Sequence, residues 1–229
     1  LQHAALNRGA HGHGFVRVHV LARFLAEEGL HLFLHQRHPG LPADEDDLAD
    51  LLEGKTELVE AGLRGREETY DEIAQVLAST LPRGNVVIPA FAVGRTQEVL
   101  HVLADLARAG RVPPLTVFVD SPLAKAATEI TSRYAPILDR ETRDLAQWQV
   151  AHPERMGLVF TETPEDSMRI NGIRAGAVIV AASGMCEAGR VRHHLRHNLP
   201  REECAVVFTG FQARGTLGRA LVDGAKEVR

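Results

Sequence analysis

From Arg66 to Arg229, short uninterrupted apolar runs alternate with segments whose apolar positions recur at helical spacing. GREETYDEIAQVLAST opens with acidic residues and then sets Ile73, Val76 and Leu77 on one face, which predicts a helix that Pro82 and Gly84 end. NVVIPAF predicts a buried strand, and RTQEVLHVLADLARAG an amphipathic helix closed by Gly110. Past the turn at Pro113 and Pro114, LTVFVDSP predicts a second strand, then a helix, AKAATEITSRYAPIL, that Pro136 ends or kinks. LVFTET, AGAVIVAAS and ECAVVFTGF predict three more strands, with VRHHLRHNL as the helix between the last two. Continuous Val/Ile runs between helices predict an α/β fold, a Rossmann-like parallel sheet covered on both faces. Ligands of such sheets sit beyond the carboxyl ends of the strands. Those positions are Ala90–Arg95, Asp120–Pro122, Ser183–Arg190 and Gly210–Gly218.

Residues 1–65 follow no such pattern. They hold seven of the twelve histidines (His3, His11, His13, His19, His31, His35, His38) and an acidic run at Asp44–Asp47. LARFLAEEGLHLFL and DDLADLLEG read as helices, and no strand pattern stands out. The chain is therefore divided into 1–65, an atypical histidine-rich segment, and 66–229.

Composition changes this picture in four ways. With 229 residues, 45% of them hydrophobic, the chain can bury a sizeable core. No apolar run is long enough to cross a membrane, and no signal peptide opens the chain, so the expected compartment is the cytoplasm. Cys186 and Cys204 are too few for a disulfide framework and read as reduced core thiols. A net charge of -4 argues against non-specific coating of nucleic acid but leaves room for a local basic groove.

The candidate chemistry lies in glycine-marked turns between strand and helix. IPAFAVGRTQEVL and AASGMCEAGRVRHHL each place an arginine, Arg95 and Arg190, just past such a turn. A helix N-terminus with free N–H groups suits a phosphate, and two such turns suggest a ligand with more than one. Arg95 has a second reading, pairing with Glu98 or Asp120. Ser121 either donates to a phosphate or caps the next helix. Ser183 and Gly184 permit close backbone approach, for phosphate binding or for tight packing. Thr216 lies in a third glycine turn, ARGTLGR, between Arg214 and Arg219. Asp120 invites a catalytic reading, but a structural one is favoured.

Two histidine groups invite a metal reading. His11 and His13 lack an acid or cysteine at suitable spacing. His193 and His197 share a helix face, but no H-E-x-x-H glutamate accompanies them, so a surface role is favoured. With Arg190, Arg192 and Arg196 they make their helix locally basic, which fits contact with a phosphate backbone. Aromatic residues are only 5% of the chain, so base-stacking platforms are sparse, Phe91 and Phe211 being the only strand-end candidates, and any nucleic-acid contact should be mainly to the sugar-phosphate backbone.

Four segments in order, PAFAVGRTQEVL, VDSPLA, AASGMCEAGRVRHHL and FTGFQARGTLGRALVDGAKEVR, resemble the β-CASP domain of RNA-processing metallo-β-lactamase-fold nucleases. The resemblance runs from about Arg66 to Arg229. It implies a domain that closes as a lid over a metallo-β-lactamase domain, with RNA in the cleft between them. Two zinc ions, held mainly by an H-x-H-x-D-H motif, would there activate a water for attack on the phosphodiester. The implied partner is single-stranded RNA, together with a homologous subunit or a second copy of the chain.

The sequence departs from that pattern in three places. It has no H-x-H-x-D-H, the nearest string being His11-Gly12-His13. The E-x-T-Y-G-D motif is absent, although Glu60 in ELVEAG falls about where its glutamate would, and it is the one catalytic candidate. The S-x-H-x-D and H-G-E segments of the family do not appear. No zinc is therefore expected on this chain, and the head reads as a remnant, mis-joined or frame-shifted, of a metallo-β-lactamase half. The implied function is the substrate-binding part of a zinc-dependent RNA hydrolase, inactive alone, with Arg95, Ser121, Ser183, Gly184, Arg190 and Thr216 on the RNA backbone. The alternative is an inactive β-CASP scaffold or partner subunit. A nucleotide-dependent transferase ranks last, because no G-x-G-x-x-G follows the first strand.

Overall fold

The computed structural model describes residues 17–20, 67–134, 140–225 and 227–228. Its described strands form one six-stranded sheet in which every pairing is parallel. In chain order the elements are β1 (Arg17–Val20), α1 (67–80), β2 (Val86–Pro89), α2 (Arg95–Arg108), β3 (Leu115–Asp120), α3 (Pro122–Arg133) and α4 (Arg140–Ala151). Then come β4 (Met156–Phe160), α5 (Pro164–Ile170), β5 (Ala177–Ala181), α6 (Val191–Asn198), β6 (Ala205–Phe208) and α7 (Leu217–Val222). The strand order is β1-β6-β2-β5-β3-β4.

The five strands that periodicity predicts are all present. The sixth is not among them: Arg17–Val20 pairs with β6 in the register Arg17↔Ala205 to Val20↔Phe208. The sheet thus takes an edge strand from within the first 65 residues. Four residues carry too short an alternation to stand out from their surroundings. Two helices, α4 and α5, were also not predicted. Thr163 starts α5 with a capping box: its hydroxyl accepts from the Asp166 amide at 3.1 Å, and the Asp166 carboxylate accepts from the Thr163 amide at 3.4 Å.

The strands read as continuous apolar runs because both faces of the sheet are covered. Val86, Ile88, Val117, Val119, Val178, Val180 and Val207 pack on one side with Leu77 of α1, Leu103 and Leu106 of α2 and Leu145 of α4. Val87, Ile179, Val206 and Phe208 pack on the other with Ile170 of α5, Val191 and Leu195 of α6 and Leu221 of α7. Alternate residues of one strand serve opposite cores, so polar chemistry is pushed to the strand ends.

Candidate nucleic-acid interface

Two regions occupy the carboxyl edge of the sheet. The first, at the ends of β3, β4 and β5, is a buried ionic cluster. Asp120 closes β3, and its side chain is wholly buried. Oδ1 accepts from Arg190 Nη1 at 2.8 Å and from the Thr161 hydroxyl. Oδ2 accepts from the Ser167 hydroxyl and from His194 Nε2, each at 2.5 Å. His194 Nδ1 lies 3.1 Å from the Asn171 side-chain oxygen, and Arg190 Nη2 donates to the Glu162 carbonyl at 2.8 Å. Burial alone would raise the Asp120 carboxyl, but hydrogen bonds from His194, Ser167, Thr161 and Arg190 together hold it far below the ordinary 3.8. A carboxylate has about four lone-pair sites, and all are occupied. Asp120 has no capacity left to take a proton from a substrate, so its role is to tie α5 and α6 to the strand ends.

The second region lies at the ends of β2, β5 and β6. A cleft of about 130 Å³ is lined by Pro89, Ala90, Phe91, Arg95, Gly184, Met185 and Thr209–Gln212. Phe91 and Phe211 remain 51% and 63% exposed, a costly arrangement for two large rings unless something covers them. The Phe91 carbonyl is fixed by Thr96, which donates both its hydroxyl, at 2.7 Å, and its amide, at 3.1 Å. The β2-to-α2 turn requires Gly94, whose φ is 79°. Gly184 lets the Phe91 segment approach closely: a Cβ there would sit 3.1 Å from both the ring atom Cδ2 and the main-chain nitrogen of Phe91. Gln212 ties the neighbouring loops together, donating to the carbonyls of Gly184 at 3.0 Å and Gly210 at 3.3 Å.

The six phosphate candidates divide between these regions. Arg95 lines the cleft and pairs with Glu98 at 2.5 Å. Gly184 also lines it. Ser183 stands beside it, its hydroxyl oxygen accepting from the Ala188 amide at 3.3 Å. Arg190 turns inward to Asp120. Ser121 is buried and caps α3, accepting from the Ala124 amide at 3.2 Å. Thr216 caps α7, accepting from Arg219 and donating to the Ala213 carbonyl at 2.7 Å.

The helix N-termini are likewise engaged from within. The amides of Val191, Arg192 and His193 at the start of α6 donate to main-chain carbonyls of Ala182, Gly189 and Arg190. Leu217 at the start of α7 donates to the Glu187 carboxylate at 2.6 Å. The picture of helix N-termini waiting for phosphates is corrected accordingly.

His193 and His197 are exposed on α6 while His194 points into the core, so the three do not converge. Cys186 and Cys204 are free and buried, and burial together with nearby Glu187 pushes the Cys186 thiol up to about 12. Both behave as core residues. Among the described residues no three His, Cys, Asp or Glu side chains converge to hold a metal ion. The closest approach is Asp120 with His194, whose lone pairs are taken by each other and by neighbours. These residues do not fit a zinc site. Glu60, His11 and His13 lie outside the described residues.

Sequence reading alone did not find the His194, Thr161, Ser167 and Asn171 partners of Asp120. One signal for part of the set was available. An aspartate ending a fully apolar strand needs buried donors, and Arg190 and His194 lie four apart, on one helix face.

A doubly covered parallel sheet with an open, aromatic-flanked cleft at its carboxyl edge defines the chain as an α/β domain of Rossmann-like architecture. The β-CASP domain model matches residues 96–221, more than half of the chain, and the chain belongs to the β-CASP family of RNA-processing nucleases. The chain is 34% identical over 194 residues to Ribonuclease TTHA0252 of Thermus thermophilus, covering 83% of the chain and 43% of that protein. It is 33% identical over 166 residues to the transcription termination factor FttA of Pyrococcus abyssi (71% and 25%). It is 28% identical over 198 residues to an RNase J-like protein of Methanocaldococcus jannaschii (82% and 44%). The chain thus spans less than half the length of these curated relatives. A model described as NAD-specific glutamate dehydrogenase matches residues 1–108, under half of the chain, and that span contains no G-x-G-x-x-G.

Proposed function

We propose that the chain is the substrate-binding part of a zinc-dependent, metallo-β-lactamase-fold RNA hydrolase, holding single-stranded RNA at the β2–β5–β6 edge. The observation that carries this reading is the open cleft beside Arg95 in a domain whose relatives include named ribonucleases. Arg95, Ser183 and Gly184 meet the sugar-phosphate backbone, while Ser121, Arg190 and Thr216 hold the loops that present them. Zinc, in the intact enzyme, would supply a hydroxide and neutralise phosphoryl charge. The part we assign to the β-CASP domain is to bind and orient the RNA. No helix among the described residues is long and apolar enough to cross a membrane, which is compatible with work on cytoplasmic RNA.

Fluorescence anisotropy with a labelled oligouridylate, at rising salt and with added zinc, tests this. The expected result is salt-sensitive binding that leaves the RNA intact. Cleavage that persists after His11→Ala, His13→Ala and Glu60→Gln, or no binding at low salt, contradicts it. The second reading is a catalytically inactive scaffold paired with a homologous subunit or a second copy. A stable complex with such a partner, without RNA affinity, is its signature.

A further inference from the structure

The cleft has features that backbone binding alone does not use. Phe91 follows β2 and Phe211 follows β6, and these are neighbouring parallel strands, so both rings stand on the same edge of the sheet. Both line one cleft and both remain more than half exposed. One ring is also seated. The Phe91 ring lies against Gly184, where a single added Cβ would come within 3.1 Å of Cδ2 and 3.2 Å of Cε2. Its backbone is fixed by Thr96, and the loop beneath it is tied to the Phe211 loop through Gln212.

The lining chemistry narrows the occupant. Among the described residues that line it, Pro89, Ala90 and Met185 are apolar and Arg95, which pairs with Glu98 at the cleft's edge, is the charged one. Flat apolar faces beside one cation suit a planar ring joined to an anionic linker. At about 130 Å³ the cleft has room for one such ring rather than a stack of them.

Resting on the RNA reading above, we infer that this cleft takes one unpaired nucleobase, held against Phe91 and Phe211, with the adjoining phosphate beside Arg95. Every base offers a π-face, so the contact is indifferent to sequence. A base inside a duplex is stacked and cannot enter, so the site selects single strands.

The test compares two labelled oligonucleotides of about ten nucleotides, an oligouridylate and its abasic counterpart of equal charge, on the 229-residue chain. The base-bearing strand should bind about five- to a hundredfold more tightly, the range expected for base–aromatic stacking. Phe91→Leu and Phe211→Leu should each reduce the ratio of base-bearing to abasic affinity. Both rings are exposed, so neither change removes core packing, and the wild-type comparison stands without them. Equal binding of the two strands by the wild-type chain overturns the base site while leaving backbone binding intact. So does a preference that survives both substitutions. Failure of both strands to bind at low salt overturns the RNA reading itself.

Discussion

The two halves of the carboxyl edge start from similar sequence signals and end in opposite physical states. At β3–β4–β5, a strand-end Asp, a glycine turn and an arginine condense into a closed cluster in which each Asp120 oxygen has two donors. At β2–β5–β6, a strand-end Phe, a glycine turn and an arginine leave an open cleft with two rings in solvent. A buried carboxylate recruits every donor within reach, because leaving it unpaired is expensive. An aromatic ring has no such need for donors, so Phe91 can rest against Gly184 and stay half exposed. Strand-end arginines therefore do not share one partner: Arg190 serves the buried Asp120 charge, whereas Arg95 pairs with the half-exposed Glu98 and lines the open cleft.

The sharpest way to break the comparison is Asp120→Ala. It leaves Arg190 without its buried partner and should lower unfolding stability by about 3–5 kcal/mol in a urea titration. The pH dependence follows from the same carboxylate. Its folded pKa is depressed, so its stabilisation is complete above the ordinary value of 3.8 and is lost as pH falls below it. Acid titrations should show this loss in the wild type and a flatter profile in Asp120→Asn.

The arginines separate next. Arg190→Ala should cost about 2 kcal/mol of stability with the salt dependence of RNA binding unchanged. Arg95→Gln should leave stability within about 1 kcal/mol and flatten the slope of log K against log salt by about 0.7, the share of one phosphate contact.

Two smaller effects sharpen the boundary. Gly184→Ala presses on both the ring and the main-chain nitrogen of Phe91 and should cost about 1 kcal/mol of RNA binding, read by anisotropy, together with a drop in melting temperature as the β2-to-α2 turn shifts. Glu187→Gln weakens the charge at the start of α7 and should cost about 0.3–1 kcal/mol of stability, leaving RNA affinity unchanged.

Much of the fold was legible in the sequence because its cause is local and repeated. Val86–Ile88 and Ala177–Ala181 are apolar on both faces, and only a doubly covered sheet makes such runs favourable. β1 was not legible, since its four residues take their meaning from pairing with β6, far along the chain. α5 was missed although Thr163 and Asp166 form a capping box, because seven residues give little periodicity.

The site was legible by position and less so by role. The strand ends named from sequence are where Arg95, Gly184, Asp120 and Arg190 stand. Which of them face a ligand depends on long-range partners such as Ser167 and His194, which no spacing rule supplies. Phe91 and Phe211 were identified from sequence as strand-end rings, and their meeting in one cleft came from the β6–β2 adjacency.

The most direct test of the account is backbone-amide hydrogen exchange on the chain with and without saturating oligouridylate. The account predicts added protection at residues 90–95, 183–186 and 209–212, and none at 120–121, 161–167 and 190–194. Protection centred on the Asp120 cluster, with the Phe91 and Phe211 loops unchanged, would contradict it.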